Sequence, residues 1–63
     1  MKKAAIYNTY SGLIKAHIVN SDEDYVNIEL LFENKMVIKK IITRDSFVSL
    51  DHYINSNYGN LTN

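Results

Sequence analysis

Between residues 25 and 32 the apolar side chains fall at every second position: Val26, Ile28, Leu30 and Phe32. A period of two is the mark of a β-strand with one face buried. Glu33-Asn34-Lys35 interrupts the run, and a second apolar stretch follows over residues 36–42. Two extended runs around a short polar centre read as a hairpin, and Asn34 is a residue suited to a left-handed turn conformation. Leu31, Val37 and Ile41 also put apolar side chains on the other side of this hairpin. In a chain of 63 residues, something must therefore cover two faces.

The rest of the chain extends the pattern. Extended runs at 4–10 and 13–19 flank Ser11-Gly12, and glycine tolerates the positive φ of a tight hairpin turn. Residues 20–24 are polar and acidic and read as a loop. The expectation is a four-stranded antiparallel meander over residues 4–10, 13–19, 25–32 and 36–43. Registers pairing Thr9 with Ile14, Ile18 with Val26 and Phe32 with Met36 give one coherent inner face. It gathers Ala5, Tyr7, Ile14, Ala16, Ile18, Val26, Ile28, Leu30, Phe32, Met36, Ile38 and Ile42, with Thr9 and Lys40 interrupting. A slip of one residue would turn a whole strand over, so the agreement supports the meander.

Phe47, Leu50, Ile54 and Tyr58 then recur at i, i+3, i+7 and i+11, one stripe of a helix over 46–58. Asp45 or Ser46 would cap its start and Gly59 its end. A short strand over 46–50 is the alternative. The whole chain, 1–63, reads as one α+β domain: the meander with one C-terminal helix packed on one face. An all-β small barrel is the other architecture open to this pattern.

The outer face carries the functional expectation. It would present Ile6, Tyr10, Leu13, Lys15, His17, Val19, Tyr25, Asn27, Glu29, Leu31, Val37, Lys39 and Ile41, with Glu29 opposite Lys39. A solvated antiparallel face normally turns polar, and one helix covers only one side. An apolar outer face marks an interaction surface. The partner-binding residues on this reading are Tyr10, Lys15, His17, Tyr25, Leu31, Val37, Lys39 and Ile41. Tyrosine suits such a role because it joins contact area to a hydrogen-bonding tip.

Enzyme chemistry finds no support in the motifs. The chain has no Cys, so disulfides and thiolate metal sites are excluded, and two His do not make a His-rich site. No glycine-rich phosphate loop exists, because Gly12 and Gly59 are the only glycines. Asp22, Glu23 and Asp24 lack the pattern of a calcium loop. Ser49, Asp51 and His52 are too close along one helix to face one another as a triad. No metal or cofactor is expected.

Seven basic and seven acidic residues balance to a net charge of zero. A strong nucleic-acid binder usually carries a basic excess. Lys35, Lys39, Lys40 and Arg44 nevertheless follow one another without an acid between them, and could read phosphates. The order of four strands and a helix is similar to small dimeric single-strand DNA-binding folds of the transcription-coactivator type. That topological resemblance implies the same nucleic-acid alternative. No apolar run is long enough to span a bilayer. The first twelve residues hold Lys2 and Lys3 but no apolar leader core, so a cytoplasmic location is expected. Abundant Asn, Ile, Lys and Tyr suit an AT-rich bacterial or phage gene. The reading is a small non-enzymatic protein-binding module, a phage or mobile-element inhibitor or adaptor. It would act as a homodimer or on a host protein.

Overall fold

The computed structural model describes residues 4–62, so Lys2 and Lys3 lie outside the described residues. Four antiparallel strands, β1 (Ala4–Thr9), β2 (Gly12–Ser21), β3 (Tyr25–Phe32) and β4 (Val37–Thr43), pair in the order β1-β2-β3-β4. Two short helices follow, α1 (Arg44–Val48) and α2 (Leu50–Asn57). The fold is the expected α+β meander. The sheet is open, with β1 and β4 at its two edges, and does not close into a barrel.

The β3–β4 hairpin has the expected register, with Leu30 opposite Ile38 and Glu29 opposite Lys39. Its turn differs in one residue. Lys35, not Asn34, takes the positive φ of 73°. The Asn34 side chain is occupied elsewhere: its Oδ1 accepts a 3.0 Å hydrogen bond from the Met36 N–H. Lys35 N–H then closes the turn on the Phe32 carbonyl at 2.9 Å. A three-residue hairpin loop commonly places its last residue in this left-handed region.

The two earlier pairings are each displaced by two residues from the expected register. Thr9 pairs with Gly12, so the turn is Tyr10-Ser11 and Tyr7, not Thr9, faces Ile14. Gly12 makes this possible with φ at +122°, a value side-chain-bearing residues rarely adopt. Thr9 locks the turn by donating to the Gly12 carbonyl at 2.7 Å and accepting from Ser11 N–H at 3.0 Å. Ile18 likewise faces Ile28 rather than Val26, and a bulge follows before Asn20. The cause lies in the next loop. Asp22 Oδ1 accepts from the N–H groups of both Asp24 and Tyr25 at 2.9 Å. Asp22 N–H donates to the Tyr25 carbonyl at 2.9 Å. The loop is thereby shortened, β2 runs on to Ser21, and the extra residue is absorbed as a bulge. A displacement of two leaves every side chain on its own face, so the two-faced pattern survives.

The single helix expected over 46–58 is in fact two. Ser49, with φ −111° and ψ 51°, breaks it after the weak helix former Val48. The cap also sits earlier than Asp45 or Ser46: Thr43 Oγ1 accepts from Ser46 N–H at 3.2 Å. At the far end Tyr58 N–H bonds the Ile54 carbonyl at 2.9 Å, and Gly59 leaves with φ +142°.

The helical stripe still lies over the sheet. Ile54 is fully buried with Ile14, Ala16, Val26, Ile28, Leu30 and Ile42, while Phe47, Leu50, Tyr53 and Tyr58 pack around them. Tyr58 meets Phe32 and Tyr53 edge-on, with ring centroids 5.8 and 6.0 Å apart. The tail then returns to β1: Thr62 N–H donates to the Asn8 carbonyl and Tyr10 N–H to the Asn60 carbonyl. Ala5 and Met36 belong to the inner face by register but stay exposed. Among the described residues, no helix is long and apolar enough to cross a membrane.

Candidate functional site

With the helices on one side, the register sets out the other side in rows. Ile6, Lys15, Leu31 and Val37 lie side by side across all four strands. The next row runs Ala4, His17, Glu29, Lys39. A third joins Asn20, Asn27 and Ile41. Val19, in the bulge, lines the same surface as Asn20, Asn27, Glu29, Lys39 and Ile41. Six aliphatic side chains, Ile6, Leu13, Val19, Leu31, Val37 and Ile41, are exposed here, Ile41 to 68% and Ile6 to 64%. The apolar material of this face has no cover among the described residues.

Seven of the eight residues singled out from the sequence share this face. Lys15 and His17 come from β2, Tyr25 and Leu31 from β3, and Val37, Lys39 and Ile41 from β4. Tyr10 does not belong with them. It occupies the β1–β2 turn, 79% exposed, and its backbone is held by Asn60. Ile6, a flank of the face, is more open than Tyr25, Leu31 or Val37, and its pairing with Lys15 is the signal that includes it. The face is not uniformly apolar. Glu29 lies 4.0 Å from Lys39, and Asn27 donates its side-chain amide to Asn20. Both are exposed contacts, worth a few tenths of a kcal/mol at most.

The basic set Lys35, Lys39, Lys40 and Arg44 is not brought together. Lys39 is on the outer face beside Glu29, whereas Lys40, the next residue, takes the opposite face across from Ile28. Lys35 sits in the turn before β4 and Arg44 begins the helix after it. At about 3.3 Å per strand residue the two ends are more than about 20 Å apart. The Arg44 guanidinium is also engaged, donating to the Asp22 carbonyl.

The acidic loop is shaped by its own backbone. Hydrogen bonds from Tyr25 and Asp24 N–H, with Arg44 nearby, hold the Asp22 carboxyl below the usual carboxylate range. Among the described residues, no three His, Asp or Glu side chains are placed to hold a metal. On α2, His52 contacts Asp51 through its backbone N–H at 2.8 Å. Ser49 serves as the junction between helices. These three residues form no proton relay. On the inner side a 290 Å³ cleft opens between the start of β1 and the helices, with Ala5, Ile18, Phe47 and Leu50 in its walls and Asp51 at its rim. Burial, with the Asp51 charge, raises the pKa of Tyr7 there. Burial and a hydrogen bond with Tyr53 push the Tyr58 phenol up to about 12. Both shifts keep a phenol neutral, so neither prepares a base or a nucleophile.

No protein-family model, no curated protein and no solved structure matches this chain. The fold itself defines the class: a small α+β protein with helices packed on one face of its sheet and the other face open.

Proposed function

We propose that this chain is a non-enzymatic protein-binding module that docks through the outer face of its sheet. The observation that carries the reading is the row structure of that face. Ile6, Leu31 and Val37 flank Lys15 in one row, Ile41 and Val19 form a second apolar group beyond the polar row of His17, Glu29 and Lys39, and no described element packs on them. Exposed apolar surface spread over several strands is costly to leave in water, and its burial drives association. The polar residues among them suit the mixed composition of an interface that must also stay soluble alone.

Leu31→Asp and Ile41→Asp test the reading. Each puts a charge on the face and leaves the inner core untouched. Both variants should keep the parent's circular dichroism and lose its association, whether with itself or with a protein retained from the source cell. Association as strong as the parent's in both variants would refute an outer-face interface. Single-strand nucleic-acid binding is the rival reading. It has less to draw on, since β4 divides its cations between two faces and Arg44 is tied to the acidic loop. An inhibitor or adaptor role would suit a module that acts by docking through this face.

A further inference from the structure

Resting on that reading, we infer that the occupant of the outer face is a second copy of this chain, packed sheet to sheet about a two-fold axis parallel to the strands. The pattern of the face selects both the partner and the axis. An axis midway between β2 and β3 lays β2 over β3 of the second copy and β1 over β4. Rows then meet like rows with the strand order reversed. Ile6 lies on Val37 of the second copy, and Lys15 lays its aliphatic stem on Leu31. In the next row His17 meets Glu29 of the second copy.

The central contact closes on itself. His17 and Glu29 are already cross-strand neighbours within one chain. The axis places two such pairs face to face with basic opposite acidic, so four side chains alternate around the symmetry axis. Lys39, 4.0 Å from Glu29, adds positive charge at the rim. The other simple two-fold runs across the strands through this row. It would set Glu29 on Glu29 and Lys39 on Lys39, and like charges so placed oppose docking. Of these two arrangements, the face is complementary to itself only about the axis parallel to the strands. An isologous contact of this kind closes as a dimer and exposes no further copy of the patch.

The area agrees. Four strands spaced about 4.8 Å apart and about eight residues long at 3.3 Å each span roughly 500 Å² per copy, or about 1,000 Å² in all. That is the lower bound of a specific interface, so the dimer should be concentration-dependent and not obligate. Two sheets packed this way lie about 10 Å apart with strands within roughly 30° of alignment.

Charge reversal tests the orientation as well as the partner. The parent chain, His17→Glu, Glu29→Lys, and an equal mixture of the two variants would be followed by sedimentation equilibrium over a concentration series. Circular dichroism would confirm that each variant is folded. The parent should pass from 7.3 kDa to twice that mass as concentration rises. His17→Glu alone should remain monomeric, because its carboxylate meets Glu29 of the second copy twice, and Glu29→Lys alone should remain monomeric, because it removes both carboxylates that face His17 and sets two ammonium groups about the axis. The mixture should dimerise again. There the carboxylate introduced at position 17 of one variant faces the ammonium introduced at position 29 of the other, and the native His17–Glu29 contact is kept on the opposite side of the axis. A mixture that stays monomeric, or single variants that dimerise like the parent, would overturn the orientation. A parent that remains monomeric throughout would overturn self-association. If Leu31→Asp still abolished capture of a foreign protein in that case, the docking face itself would stand.

Discussion

Ile54→Ala asks how firmly one side chain holds the helices to the sheet. Ile54 is 0% exposed and is the only buried residue of either helix. The substitution removes three carbons, about 2.4 kcal/mol of transfer free energy at roughly 0.8 kcal/mol per methylene. A residual cavity adds to this, and buried Ile-to-Ala changes fall in the range of about 2–5 kcal/mol. We expect about 3 kcal/mol, because α2 is short and can settle partly into the gap. A chain of 63 residues, at roughly 0.05–0.15 kcal/mol per residue, has about 3–9 kcal/mol of stability in total. One side chain thus accounts for a third or more of the margin. Urea unfolding followed by circular dichroism and by tyrosine fluorescence, at one fixed protein concentration, should show the midpoint fall by more than about 1 M. The control is Val48→Ala on α1, where the valine is 77% exposed and the change should stay within about 0.5 kcal/mol. Equal midpoints for the two variants would mean that the helices are not anchored through Ile54.

Two further predictions concern the joints of the fold. Thr43→Ala removes the side-chain cap of α1 and should cost about 1 kcal/mol, read as a lower thermal midpoint, while Thr43→Ser keeps an oxygen in place and should recover most of it. Asp22→Ala frees the N–H groups of Asp24 and Tyr25 and should lower the thermal midpoint at neutral pH. Because the folded-state pKa of Asp22 is depressed, its contribution is present above the ordinary carboxylate range and lost as pH falls through the lower folded value. Parent and variant should therefore converge at strongly acidic pH, and a midpoint difference unchanged down to about pH 2 would refute an ionic role.

The docking reading has a physical basis in the size of the chain. A domain this small buries a modest share of its surface, and there are no cysteines to brace it. Here the inner core holds seven buried hydrophobic residues, while six exposed aliphatic ones face the other way. A sheet face of this kind, once covered, would enlarge the buried apolar surface on which stability depends. Binding and folding would then reinforce each other by mass action.

Which side chains share a face was legible in the sequence. Alternation at Val26, Ile28 and Leu30 assigns them to the core, and Leu31, Val37 and Ile41 to the other side, whatever the turns do. The period of a strand is a local property, and register shifts of two residues preserve it. The helical stripe Phe47, Leu50, Ile54 was legible for the same reason, since it depends on a local period. The particular registers were not. They were decided by Thr9 reaching the Gly12 carbonyl, by Asp22 drawing Tyr25 back to shorten a loop, and by the bulge that took up the difference. The tail beside β1, the separation of Lys39 from Lys40, and the capture of Arg44 by Asp22 belong to the tertiary structure too. Each depends on groups meeting in space through the whole fold, and no short-range pattern records such a meeting. Periodicity determined that this protein has two apolar faces and one helical stripe to cover one of them, and only the folded geometry decided which side chains stand side by side on the open face.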